Sequence, residues 1–117
     1  MDAARANAEA SGIRLGRVQD GRRQRPDGVM LSWRYTDPAT VVADGLIPFF
    51  IDWGQSPNPA ANAPQGARLV ELRAEHPNAA AMRDQLESLG IGLRVTSGPR
   101  AALIATIDGD QGRVELR

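Results

Sequence analysis

The sequence predicts an α+β fold of paired βαβββ modules, the first of which lacks its opening strand. Three observations carry that prediction. A short helix followed by Gly12-Ile13-x-Leu15 is echoed by a second helix followed by Gly90-Ile91-x-Leu93. Three strand-like segments separated by glycine-containing turns follow each helix, so the echo is an internal repeat. Between the copies, residues 54–66 (GQSPNPAANAPQG) hold three prolines and two glycines without apolar periodicity, which makes them a connector. One domain over residues 1–117 is expected, with an incomplete module at 1–53, the connector at 54–66 and a complete module at 67–117.

In the first copy, residues 2–11 (DAARANAEAS) form a short helix with Asp2 as N-cap and Gly12 beyond its end. Ile13-Arg14-Leu15 then begins an alternating strand that runs to Gln19, before the charged segment 20–25. Pro26-Asp27-Gly28 is a turn, because proline presets φ and glycine accepts a positive one. A hairpin strand follows at 29–35 (VMLSWRY), with Val29, Leu31, Trp33 and Tyr35 on one face. Residues 46–53 (LIPFFIDW) are apolar enough for a third strand, and Pro48 assigns it to an edge or a bulge.

The second copy opens with a strand at 68–75 (RLVELRAE), which alternates Val70, Leu72 and Ala74 against Leu69, Glu71, Arg73 and Glu75. Asn78 caps a helix at 79–89, whose Ala79, Met82, Leu86 and Leu89 share one side and which stops at Gly90. Strands at 91–96, 101–108 and 113–117 complete the module. Each copy can cover one sheet face with its own helix, so two sheets side by side would leave their other faces to line a cleft.

Composition narrows the function classes. A chain of 117 residues buries roughly two-thirds of its unfolded surface, enough for a core without staples. Fourteen basic residues balance fourteen acidic ones, which removes the long-range positive field of a nucleic-acid or anionic-membrane binder. Every basic residue is arginine, which excludes lysine Schiff-base chemistry. No cysteine is present, which excludes disulfides, thiolate nucleophiles and cysteine-held metal clusters, and fits the reducing cytoplasm. No apolar run reaches the roughly 20 residues of a membrane span, and the Ala-rich start has no leader-like apolar core.

Several segments carry a resemblance. Arg25-Pro26-Asp27-Gly28-x-x-Leu31-x-Trp33-Arg34 comes first, then Leu46-Ile47-Pro48-Phe49-Phe50-Ile51-Asp52-Trp53-Gly54. Ser56-Pro57-x-Pro59, Glu75-His76-Pro77 and the ending from Asp110 to Leu116 complete the set. Together they resemble the glyoxalase-like group of the vicinal-oxygen-chelate superfamily, and in particular the C-terminal portion of a longer design. The resemblance implies βαβββ modules forming a curled mixed sheet around a small-molecule cleft, often with a divalent metal held by His and Glu. It implies an enzyme of small oxygenated metabolites or a non-catalytic, sequestering binder. A homodimer is expected too, because a module without its first strand exposes an edge and apolar surface.

The resemblance places Glu115 at the last-strand metal carboxylate, the only candidate at a family metal position. Its counterpart is Leu69, which cannot ligate, so a divalent metal would have to recruit other ligands such as Glu71, and none is assigned. Glu71, Arg73 and Glu115 would form a polar cluster that either separates two carboxylate pKa values or is neutralised by Arg73. With Arg34 they are the ligand-binding candidates. Arg34, Arg25 and Trp33 could also make an anion and aromatic site, but Trp33 shares the apolar face of Leu31 and fits a core better. Arg22, Arg23 and Arg25 read as a solvated run at the turn. His76, the only histidine, lies between Glu75 and Pro77 and is assigned to capping or packing rather than to catalysis.

Overall fold

The computed structural model describes all residues, Met1–Arg117. The fold is α+β, with two α-helices and two sheets. The chain divides into two compact units, one comprising Met1–Val42 and Pro48–Ala63, the other Ala43–Ile47 and Pro64–Arg117. Each is described by itself.

The first unit contains helix α1 (Asp2–Ala10) and strands β1 (Val18–Gln24), β2 (Met30–Thr36) and β3 (Ile51–Asp52), which form an antiparallel sheet in the order β1-β2-β3. Helix α1 starts one residue earlier than its sequence implies, with Met1 at the N-cap and Asp2 already helical. Its end is a Schellman cap, in which Gly12 (φ 73) donates to Glu9 O at 3.0 Å and Ile13 donates to Ala8 O at 2.8 Å. Ile13 and Leu15 are buried, so their alternation marks the core but not a strand. The chain turns at Gly16 (φ 74), and the strand expected at 13–19 instead occupies Val18–Gln24, within the charged segment.

The turn at Pro26-Asp27-Gly28 forms as expected, closed by Arg25 N–H to Val29 O at 2.8 Å. It sets a register of Gln24 opposite Met30 through Val18 opposite Thr36. The strand expected at 46–53 shrinks to Ile51–Asp52, since Pro48 has no N–H to give to a ladder. Buried Thr36 anchors this stretch twice, its N–H donating to Phe50 O at 3.0 Å and its Oγ1 accepting from Phe50 N at 2.9 Å.

The second unit contains β4 (Ala67–His76), α2 (Ala79–Ser88), β5 (Arg94–Ser97), β6 (Ala102–Gly109) and β7 (Gly112–Leu116), with strand order β5-β4-β6-β7. Only β4 and β5 are parallel, joined through α2 as a crossover. Asn78 caps α2 by accepting from Ala81 N at 3.3 Å. The helix ends on the same Schellman cap as α1, with Gly90 (φ 72) donating to Glu87 O at 2.9 Å and Ile91 to Leu86 O at 2.9 Å. The repeat is therefore one of hydrogen bonds as well as letters. As in the first copy, the residues after the cap are not yet strand, and β5 starts at Arg94 rather than Ile91.

Buried Ala79, Met82 and Leu86 of α2 pack with the sheet at β4 and β5, where Ala74 and Val95 are also buried. Arg83 ties helix to strand by donating to Val95 O at 2.9 Å. One expectation fails inside β4. The register shifts between Leu69 and Glu71, so Leu69 pairs with Ile107 while Glu71 pairs with Thr106. Val70 is the extra residue of a bulge. Since paired residues share a face, Leu69 lies on the face opposite Glu71, contrary to simple alternation.

Candidate functional site

The first unit contains an aromatic-walled cavity. In β1 and β2, Gly21 stands opposite Trp33. With no side chain at residue 21, the Trp33 indole comes up against the strand there. A Cβ built at Gly21 would fall 2.7 Å from Trp33 Cζ2, with Cε2 and Nε1 nearer still. Trp53 meets Trp33 at a centroid distance of 5.2 Å and an interplanar angle of 50°. The turn after β3 holds it there. Asp52 Oδ1 accepts from Gly54 N at 2.9 Å, Ser56 N–H donates to Trp53 O at 2.9 Å, and Ser56 Oγ accepts from Ser32 N at 2.8 Å on β2. Gly54 takes φ 52 inside this turn.

These residues surround a cavity of about 570 Å³, whose walls also include Asp20, Arg22, Arg34 and Gln55. That volume lies within the range of small-molecule sites. Cross-strand pairing puts Asp20, Arg34 and Asp52 in one row. Arg34 donates Nη1–H to Asp2 Oδ2 at 3.2 Å and Nη2–H to Asp2 Oδ1 at 3.1 Å, a two-point fork. That bond raises the pKa of Arg34 and lowers that of Asp2. Asp52 is also held low, chiefly by the Gly54 N–H it accepts. Arg22 makes no ion pair, whereas Arg25 pairs with Asp27 at 2.7 Å in the turn.

The sequence points to Arg34 as a candidate but favours a core position for Trp33. The structure places it half-exposed on the cavity wall. Arg22 and Arg23 lie in β1, not in a turn run. Gly21, Asp2 and Trp53 were missed as parts of the site. A register counted outward from the Pro26–Gly28 turn would have found Gly21.

The other candidates belong to the second unit. Register puts Glu71, Arg73, Glu75, Arg94, Thr106 and Glu115 on one sheet face. Arg73 is brought to Glu115, with Nη2 donating to Oε2 at 3.4 Å, and to Glu75, with Nη1 donating to Oε1 at 3.2 Å. The bond to Glu75 is the main cause of a raised Arg73 pKa. Arg117 adds a 2.9 Å pair to Glu75. Glu71 is not joined to Arg73 and pairs instead with Arg94 at 2.6 Å. Each carboxylate is thus answered by a guanidinium, which fixes geometry on a charge-balanced face.

This donor set does not fit a divalent cation. No three His, Cys, Asp or Glu side chains converge in the chain, Glu115 already accepts from Arg73, and the bulge turns Leu69 to the other face. His76 has the capping role expected from its neighbours. Its Nδ1 accepts from Asn78 N at 3.0 Å, and Nε2 lies 3.5 Å from Asp44 Oδ2, a residue with φ 56.

No helix is long and apolar enough to cross a membrane. Comparison with curated proteins and with solved structures gave no match. The family model described as glyoxalase-like domain matches residues 1–90, from α1 through the end of α2, and so includes the whole Trp33–Trp53 cavity but not Glu115. The chain belongs to the glyoxalase-like domain family of the vicinal-oxygen-chelate superfamily.

Proposed function

We propose that the chain binds a small planar organic molecule, of the oxygenated kind handled by its superfamily, in the Trp33–Trp53 cavity. One observation carries this reading: the missing side chain at Gly21 makes room for the Trp33 indole, and Trp53 meets it at 5.2 Å on the cavity wall. Flat π-faces accept planar ligands by stacking, and a few polar groups at the rim orient them. Asp52, Trp53 and Gly54 of the cavity wall belong to the longest piece of the family resemblance, and this supports assigning function there.

The test is optical. The two tryptophans are the only ones in the chain and both line the cavity. Benzoate and benzamide serve as planar probes, titrated while tryptophan emission is followed. A saturable change with at least one probe is expected. No saturable change with either would overturn the assignment.

A second site reading places the ligand on the face of Glu71, Arg73 and Glu115, favoured by the concentration of charged groups there. Binding detected calorimetrically, lost in Arg73→Ala and silent in tryptophan emission, would select it. We also propose that the chain is a cytoplasmic homodimer. Leu69, Leu72, Leu103, Val114 and Leu116 share the face of β4, β6 and β7 that carries Ala74, and all are exposed. Light scattering showing a monomer at high concentration would overturn the dimer.

A further inference from the structure

Strand β7 has β6 as its only neighbour in the sheet, and all five of its residues are exposed. A free edge offers unpaired N–H and C=O groups to another strand. Which groups are free follows from the register. Gly109 pairs with Gly112 across the two-residue loop Asp110-Gln111, so that pair exchanges hydrogen bonds. In an antiparallel ladder such pairs alternate with pairs that exchange none. The backbone groups of Gly112, Val114 and Leu116 are therefore turned to β6, and those of Arg113 and Glu115 are turned outward.

We propose that β7 pairs antiparallel with β7 of a second copy of the chain, about a two-fold axis at Val114, joining two four-stranded sheets into one. This rests on the chain being a homodimer and assigns the strand and the register through which the copies meet. At this register Arg113 stands opposite Glu115 of the partner subunit, and Glu115 opposite the partner's Arg113. These pairs use every outward N–H and C=O of β7 and set unlike charges directly across from each other. The side chains have atoms to spare for it. Arg113 gives Nε and Nη2 to Asp108, which leaves Nη1, and Glu115 accepts from Arg73 on Oε2, which leaves Oε1. The contact also continues the alternation of sign along the row Arg68, Asp108, Arg113. On the other face Val114, 53% exposed, meets its own copy, and Leu116, 56% exposed, lies over the partner's Gly112, where no side chain competes for the space. An axis at Arg113 or Glu115 would oppose like charges instead, and one at Gly112 or Leu116 would slide each β7 past the other.

The chain has no cysteine, so one introduced thiol reports on the register. Val114 and its copy form a pair without hydrogen bonds, about 4.5 Å apart at Cα and within disulfide range. The two copies of residue 115 are about 8 Å apart, beyond that range. Under mild oxidation Val114→Cys should become largely a covalent dimer and Glu115→Cys should not. Sedimentation supplies the second test. Arg113→Glu alone, or Glu115→Arg alone, turns both cross-strand pairs into like-charge pairs and should weaken self-association by about ten-fold or more. Mixing the two variants restores both pairs, so a heterodimer should form with about the wild-type affinity. Circular dichroism checks each fold, and recovery in the mixture shows that neither variant has merely unfolded. Arg113 and Glu115 lie on the face opposite Val114, so a dimer held only by the apolar face would not respond to these charges.

A wild-type dimer whose charge variants self-associate undiminished, or whose mixed variants fail to pair, would overturn the edge register while leaving the homodimer. Glu115→Cys linking as readily as Val114→Cys would overturn it as well. A wild type that stays monomeric at high concentration would remove the homodimer and this inference with it.

Discussion

Replacing Gly21 with alanine tests how the cavity is built. The new Cβ would fall 2.7 Å from Trp33 Cζ2 and closer to two other indole atoms. Carbon atoms in contact settle at about 3.5–4.0 Å, so the ring must retreat by roughly 1 Å or swing away. In an enclosed core such overpacking costs about 1–3 kcal/mol. Trp33 is only half-buried and borders open space, which puts the cost near the lower end. Alanine in a strand also recovers about 0.5–1 kcal/mol relative to glycine, and the backbone of residue 21 has no positive φ to forbid it. The two contributions nearly cancel, leaving a net loss of about 1 kcal/mol or less in urea unfolding.

The function of the site should change far more than its stability. Displacement of Trp33 alters its 5.2 Å contact with Trp53, so the near-ultraviolet dichroism of the tryptophans should change and benzoate affinity should fall by about ten-fold. A destabilisation above about 3 kcal/mol would mean that the indole is locked in a closed core. An unchanged tryptophan spectrum with unchanged probe affinity would mean that the ring does not rest on Gly21. Either result refutes a cavity wall formed by Trp33 lying on Gly21.

Thr36→Val keeps the shape of a fully buried side chain but deletes the oxygen that accepts from Phe50 N at 2.9 Å. It should cost about 1–3 kcal/mol in urea unfolding, because the Phe50 N–H loses its acceptor. The hairpin of β6 and β7 is clamped at Asp108, which accepts from Arg113 Nε at 2.6 Å and from Arg68 Nη2 at 3.2 Å. The hydrogen bond from Arg113, more than the Arg68 charge, lowers the Asp108 pKa below its ordinary 3.8. A depressed carboxylate stabilises the fold above its unfolded pKa and loses that contribution as the pH falls through the folded one. Stability should therefore drop more steeply below about pH 3.8 in the wild type than in Asp108→Asn, and parallel acid titrations of the two would refute the clamp.

The second unit was legible because its signals agree. Asn78 and Gly90 bracket α2, and the apolar spacing of Met82 and Leu86 coincides with observed burial. Alternation gives Arg73 and Glu115 the same facing, but their 3.4 Å contact forms across β6, which separates their strands, so the cluster does not depend on the first and last strands being paired. The partner of Glu71 does not follow from alternation, since Arg94 arrives through the parallel register set by the crossover. The first unit was harder for a physical reason. Strand β1 lies at the edge of its sheet and presents Asp20, Arg22 and Arg23, the charges that discourage edge pairing and also hide a strand from apolar patterning. Buried Ile13 and Leu15 drew the strand assignment to themselves instead. Trp53 depends on the turn closed by Asp52, Gly54 and Ser56, which no periodicity records.

The bulge at Val70 bears on how positions are carried from one relative to another. In a bulge-free strand, counting two residues back from Glu71 stays on the same face; in β4 it arrives on the opposite one. A gapless alignment would match Leu69 to a column whose side chains point the other way, although each letter pair looked plausible. Deleting Val70 would remove the bulge and restore the count while leaving residues 67–69 in their present pairing and on their present faces. The pairing with β6 therefore fixes which way these side chains point, and the extra residue changes only how positions are counted along β4.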